Sequence, residues 1–447
     1  MDRIGALPDD LLLQILAGLD CARAAARTGL VARRWRGLWA RLPELAFRDL
    51  NPGSLDAALA QVARPALSLL SIRFPDGQRL GSAAISSLLH AAAKLTPARF
   101  SIHVAGDPLT GEVELPCFNR TDSITLHVSG GLDVSLLPEA NFPMLVELSL
   151  NCNHIDIGDL LTHCPRLCKL CLSNAWLDSL RIDSPSLEEL RVYVFRRLQH
   201  IDIVTPALKK FKLFAIDGIG DEFSMSFSAP LVEELSWACL YPYFNVGFGQ
   251  IWRLGKLILR TSEAAGKMQL AVNREKTNLK LRRALSLCLG TGIILGDAER
   301  SFGQVISQTP VTNFSILNLE IKAGQHVYGA MVVHLLGLCT SIQRLEVKLL
   351  EVQFETRSVN CPCDQPNSWS SQTISLTNLK EVEINGFGGE VHEVDLLEVI
   401  FRSATVLKRV IVHLSSKVSA SDSVYIKIHS ILKAHPSVEC KVYGWSI

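Results

Sequence analysis

The sequence predicts a mixed α/β chain: a short helical module at the N-terminus, then a curved parallel sheet built from short repeats. Three observations carry this. Residues 7–39 hold apolar positions at helical spacing, opened by Pro8 and followed by Pro43. Beyond about residue 60, the pattern Pro-x-Φ-x-x-Φ-x-Φ, with Φ apolar or aromatic, returns at short intervals. The chain has 447 residues, 48% of them hydrophobic and 20% charged. That is too long for one ordinary core and too apolar for a disordered chain.

The module comes first. In "LPDDLLLQILAGL", residues 7–19, Pro8 suits a helix start and Asp9 and Asp10 complement the helix dipole in the first turn. Leu12, Ile15, Leu16 and Leu19 fall on one stripe, and Gly18 and Asp20 mark the stop. An Ala/Arg segment over 22–28 predicts a second short helix. A third is expected over 30–39, with Val31, Trp35, Leu38 and Trp39 on one face and Arg33, Arg34 and Arg36 off it. Three short helices make a poor core alone, so the module should lean on a partner or on the rest of the chain.

The order Leu7-Pro8, Ile15-Leu16, Val31, Arg34-Trp35 and Leu42-Pro43 resembles an F-box. It departs from many plant members at "CARAAA", residues 21–26, where they carry a Pro and an Asp. The resemblance implies docking on a Skp-type adaptor and, through it, a cullin-based ubiquitin ligase. The residues it assigns to adaptor binding are Leu7, Pro8, Leu12, Ile15, Leu16, Val31 and Trp35.

The repeats follow. Copies begin at Pro143, Pro165, Pro185, Pro206 and Pro230, and a proline-less copy is Leu254-x-x-Leu257-x-Leu259. Their first Φ positions step by 22, 20, 21, 24 and 22 residues. Such a period with L-x-x-L-x-L is the leucine-rich-repeat signature. Each unit supplies one short strand whose alternate side chains enter a shared core. A copy at Pro65 and others at Phe314, Ile342, Leu379 and Leu407 extend the array. The stretch 262–308 blurs the pattern and is expected to be an insertion or loop. The expected fold is thus α/β, a three-helix F-box followed by a leucine-rich-repeat solenoid with helices or irregular turns on its convex side. The expected boundaries are 1–48, 55–350 and 351–447.

Side chains between the Φ positions should line the concave face. In the central repeats the candidates for target binding are Lys169, Arg191, Tyr193, Lys210, Lys212 and Phe214, basic groups beside large aromatics.

"HCPRLCKLCL", residues 163–172, raises a metal site, but the repeat frame explains it. Leu167, Leu170 and Leu172 are the Φ positions, Cys164 takes a small buried turn position, and Cys171 points away from Leu170. "CPC" at Cys361–Cys363 has no companion His or Cys pair near it in sequence, so a loop is expected there and no metal. The segment from Cys361 to about Val412 resembles the C-terminal FBD region of plant F-box/leucine-rich-repeat proteins, with strand, loop, amphipathic helix and strand legible in it.

Other chemistry is not supported. Gly290-x-Gly292-x-x-x-Gly296 lacks a βαβ context and is expected to be a loop. His392 lacks the second histidine of a metalloprotease helix, and Gly255-Lys256 is followed by Leu, not Ser or Thr. Net charge is +1, giving no field to draw nucleic acid. No run of about 18 apolar residues exists. Asp9, Asp10 and Gln14 interrupt any signal-peptide pattern. The chain is therefore expected to be non-enzymatic and free of cofactors, with no membrane or nucleic-acid partner. Its place would be the nucleus and/or cytoplasm. What the resemblances imply is the substrate receptor of a Skp–cullin–F-box ligase with an unknown target protein. The alternative is a leucine-rich-repeat scaffold or signalling adaptor outside any ligase.

Overall fold

In the computed structural model the described residues are 7–63, 66–105, 111–242, 246–248, 251–261, 286–293, 297–309, 314–324, 326–350, 361–364, 368–416 and 423–444. They form two compact units, Met1–Leu213 with Ser226–Val232, and Phe214–Met225 with Glu233–Ile447.

The first unit opens with helices Asp9–Ala17 and Ala22–Arg27. Pro8 precedes the first, Asp9 and Asp10 sit in its first turn, and Gly18 caps its end. The third helix expected over 30–39 does not form. Instead there are 3₁₀ turns at Thr28–Leu30, Arg33–Trp35 and Leu38–Arg41. Ala32 is extended and Gly37 is left-handed at φ 77°, which divides the segment twice. Leu12, Leu16, Trp35, Leu38, Trp39 and Leu42 close the small core. Each such burial is worth roughly 1.5–3 kcal/mol. Trp39 meets Phe47 edge-to-face at 6.3 Å between centroids, which ties the module to the first strand.

That strand, Glu44–Arg48, starts a parallel ladder. Glu44, Leu69, Arg99, Ser123, Glu147, Lys169 and Glu189 stand side by side as the first residues of seven strands. Strand Lys210–Ala215 joins through N–H donation from Lys209 and Lys210 to the Glu188 carbonyl. The alternation is strict: Leu170, Leu172, Leu190, Val192, Phe211 and Leu213 are buried, and Lys169, Arg191 and Lys210 are exposed.

Three strands of the ladder lie outside the spaced copies. Leu42-x-x-Leu45-x-Phe47 is a full repeat hidden at the end of the helical module. Strands Arg99–Val104 and Ser123–Val128 lack the first apolar position, which Pro97 and Thr121 fill. Thr121 is fully buried, and its hydroxyl donates to the Pro97 carbonyl at 2.6 Å, so a polar link replaces a leucine.

On the other side of the ladder run helices Pro52–Leu59, Ser82–Lys94 and Ile157–His163, the first and third capped by Asn51 and Asp156. Short strand pairs stand there too, which the expectation of helices or irregular turns did not include. Glu112–Leu115 pairs in parallel with Asp133–Leu136, and Ser179–Asp183 with Leu198–Val204. The cause is local. Leu180, Ile182, Ile201 and Ile203 alternate with polar residues and are all buried, a period-two pattern.

In the second unit, strand Trp252–Arg260 lies antiparallel both to Glu234–Leu240 and to Ser286–Ile293. The proline-less copy at Leu254, Leu257 and Leu259 is therefore not a further parallel repeat. Its three side chains are fully buried as expected, but the strand runs in reverse, and apolar spacing does not encode direction. Gly290 and Gly292, expected in a loop, belong to strand Ser286–Ile293. Gly290 lets the Lys256 side chain cross it, since a Cβ there would stand 2.6 Å from the lysine Cγ. Of the stretch 262–308, residues 262–285 and 294–296, Gly296 among them, lie outside the described residues, and Phe302–Ser307 is a helix with a Ser301/Gln304 capping box.

Parallel order then resumes. Ser286, Ile316, Arg344, Glu381, Arg409 and Glu439 stand side by side along six strands. Helices Gly329–Leu338, Val391–Ser403 and Ser423–Lys433 accompany them. No helix among the described residues is long and apolar enough to cross a membrane.

Candidate interaction surfaces

The seven residues assigned to adaptor binding divide in the fold. Leu12 and Leu16 are within 1% of full burial, and Trp35 is also buried, so these three build the module's own core. Pro8, Ile15 and Val31 are exposed and Leu7 is half-buried. Sequence reasoning did not single out Leu11 and Leu30, which are also exposed, and placed Leu19 on the buried stripe, where it is not. Leu11 and Ile15 are spaced i, i+4 on the helix, a second apolar stripe beside the buried one, and Leu19 follows just past the helix end. Among the described residues, five of the sixteen exposed large apolar side chains fall within residues 11–31. Single exposed leucines need no explanation, but such a concentration marks an interaction site.

The module is braced by charge. Asp9 accepts from Arg41 at 2.9 Å and from Arg34 at 3.4 Å. The Arg41 hydrogen bond, with Arg34 in support, holds the Asp9 carboxyl below its usual range against the opposing effect of burial. Arg34, read from sequence as an exposed helix-face residue, thus joins the 3₁₀ turn to the helix start.

The exposed face of the first unit's ladder is laid out in rows. At the strand starts Lys169 pairs with Glu147 at 3.8 Å, and Arg191 reaches back to Glu189 on its own strand. The row two residues on is small and mostly hydroxylic over Ala46, Ser71, Ser101, Thr125, Ser149 and Cys171, and ends on Arg191. Two further on come Arg48, Arg73, His103 and His127, the two histidines stacked at 4.6 Å. Burial, then the neighbouring His127 and Arg73, holds the His103 pKa down. Of the six residues assigned to target binding, Lys169, Arg191, Tyr193 and Lys210 are exposed, while Lys212 is half-buried. Phe214 is half-buried and falls in the second unit. The sequence missed the aromatics that follow these strands: Trp176 and Phe195 are exposed, and the Arg196 guanidinium lies 5.1 Å from the Trp176 ring centre.

In the second unit the corresponding face is a charge ladder. Arg344 pairs with Glu383 at 3.2 Å, Arg409 with Glu381 at 2.9 Å, and Lys256 with Glu320. Such cross-strand pairs hold register more than they hold partners.

The expectation of a plain loop at Cys361–Cys363 is corrected. His326, 35 residues earlier than Cys361, brings its Nδ1 to 3.1 Å from the Cys361 sulfur. All three residues are buried. Close by in sequence, Tyr328 donates its hydroxyl to buried Glu393 at 3.0 Å, and Glu393 also accepts the Glu390 N–H at 2.9 Å. Burial pushes the Glu393 carboxyl above its usual range; these hydrogen bonds pull it partly back. Two outcomes follow. Tyr328→Phe should cost about 1–3 kcal/mol, the range for removing one hydrogen bond from a buried acceptor, read by urea denaturation. Because the folded pKa is raised, Glu393 binds its proton more tightly in the folded chain. Its contribution is complete below the ordinary carboxylate range and is lost as pH rises through the raised value. Melting temperature should fall over that window, and Glu393→Gln should flatten the fall.

Comparison with known proteins agrees with this architecture. Residues 103–229 match the profile for the leucine-rich repeats of FBD-associated F-box protein At5g56370, and residues 375–412 match the FBD profile. The F-box/FBD/LRR-repeat protein At2g04230 of Arabidopsis thaliana is 30% identical over 44% of this chain and 48% of its own length. The FBD-associated F-box protein At5g60610 is 30% identical over 48% of this chain and 58% of its own. The F-box/LRR-repeat protein At3g59210 is 24% identical over 99% of this chain and 94% of its own. Both latter proteins are also from Arabidopsis thaliana. The chain's homologues are thus the F-box/FBD/LRR-repeat proteins of Arabidopsis, and it carries their repeat region and FBD block in that order.

Proposed function

We propose that this chain is the substrate-recognition subunit of a Skp–cullin–F-box ubiquitin ligase. Residues 1–48 dock on the adaptor, residues 55–350 present the target-binding face, and residues 351–447 extend that array. The observation that carries the proposal is the concentration of exposed apolar side chains within residues 11–31, on a module whose own core is already closed. Pro8, Ile15 and Val31, with Leu7, face the adaptor, while Leu12, Leu16 and Trp35 hold those residues in place. The protein performs no chemistry itself. It raises the effective concentration of a target near a ubiquitin donor, the gain available from tethering alone. Its place of action is the nucleus and/or cytoplasm.

Target recognition falls to the basic rim of the first unit and the aromatics after its strands. Capture from cells under proteasome block identifies the bound target. Reversal of Arg191, Lys210 and Lys212 to Glu should then abolish its recovery while the adaptor still co-purifies. These side chains lie outside the core, so each change should move stability by only about 0.5 kcal/mol. Undiminished target recovery by the triple variant would place recognition elsewhere.

A further inference from the structure

We infer that His326, Cys361 and Cys363 form a zinc site that fastens the start of the C-terminal block to the helix Gly329–Leu338. Their metal-binding atoms all lie within 4.8 Å of one another, and the three residues are buried. A tetrahedral zinc with bonds of about 2.3 Å to sulfur and 2.0–2.1 Å to nitrogen sets its ligand atoms roughly 3.5–3.8 Å apart. The cluster reaches that with ångström-scale side-chain adjustment. Pro362 stands between the two cysteines and restricts the backbone that presents them.

The chemistry of the donor set selects the ion. Two thiolates and an imidazole suit zinc and exclude magnesium and calcium, which require oxygen ligands. Charge selects it too. A divalent ion with two thiolates and a neutral imidazole sums to zero, so the filled site places no net charge in the interior. Binding releases two thiol protons to solvent and forms two zinc–sulfur bonds and one zinc–nitrogen bond, leaving the fourth position to a further ligand.

The location gives the site a purpose. His326 stands just before the helix Gly329–Leu338, and Cys361 and Cys363 stand just before Trp369, whose ring lies over Gly329. Arg402, from the helix Val391–Ser403, donates to the Ser370 and Gln372 carbonyls at 2.6 and 2.9 Å. The metal would add a tie at His326, Cys361 and Cys363 to the hydrogen bonds that Arg402 makes to Ser370 and Gln372. The buried thiols Cys152, Cys164, Cys239 and Cys339 belong to no such cluster among the described residues and serve as small apolar fillers.

The test uses the full chain, purified without chelator and analysed for metal. The expected result is about one zinc per chain, lost in Cys361→Ser/Cys363→Ser and in His326→Gln. A chelator should lower the melting temperature of the native chain and leave the variants unmoved. Cobalt substitution of the native chain supplies a readout independent of how the variants fold: a tetrahedral cobalt spectrum with thiolate-to-metal charge transfer is expected. A metal-free native chain with no cobalt–thiolate absorption would overturn the inference and leave an imidazole–thiol contact. Zinc retained at full occupancy in the double variant would overturn it as well.

Discussion

Ile15→Asp with Val31→Asp is expected to weaken binding of a Skp-type adaptor by about 100-fold or more, near 3 kcal/mol, the scale of losing interface anchors. The two side chains are 45% and 86% exposed, so the folded chain should hardly register their loss. Circular dichroism melting should stay within about 0.5 kcal/mol of the native chain. Leu12→Ala gives the converse. It empties a fully buried position and should cost about 2–5 kcal/mol of the module's stability. Adaptor binding lost in the first variant with the fold intact separates docking from support, which sequence alone merges.

The second large effect lies at the other end of the chain. Trp369→Ala should destabilise the second unit by about 3–5 kcal/mol, the usual range for a buried tryptophan. Trp369 is buried, and its ring sits where a side chain on Gly329 would go: a Cβ there would stand 2.1 Å from the ring. Gly329→Ala should therefore cost about 1–3 kcal/mol in the native background and far less once Trp369 is Ala. Urea denaturation of the four chains of this cycle measures the coupling. Additive losses would mean that the ring and the glycine do not share one space.

Much of the fold was legible, because a repeat writes its core into a one-dimensional pattern. Leu167, Leu170 and Leu172 could be placed inward, and Lys169 outward, without any structure. The misses have physical causes. Thr121 satisfies its buried hydroxyl through the Pro97 carbonyl, so a polar residue serves where the pattern demands an apolar one. Leu254, Leu257 and Leu259 keep the apolar spacing in a strand that runs backward, since burial depends on which face a residue occupies and not on strand direction. Gly37 at positive φ divided an expected helix, and Val31, placed on its apolar face, stands exposed while Trp35, Leu38 and Trp39 are buried.

The candidate sites were less legible than the fold. An apolar stripe announces burial but not against what. Leu12 and Leu16 turn into the module, whereas Ile15, one residue from Leu16, turns out of it. A helix of nine residues gives both stripes similar composition, and only packing divides them. The histidine beside Cys361 comes from 35 residues away, so no local spacing rule could have found it. Trp176 and Phe195 lie just past their strands, at positions the repeat leaves unconstrained, and so escaped notice.

The most direct measurement is a titration of the whole chain with a purified Skp-type adaptor, followed by calorimetry. Saturable one-to-one binding, abolished by Ile15→Asp/Val31→Asp and kept by the Arg191, Lys210 and Lys212 reversal, is the predicted result. No saturable binding by the native chain, or equal binding by the Ile15/Val31 variant, would contradict the account.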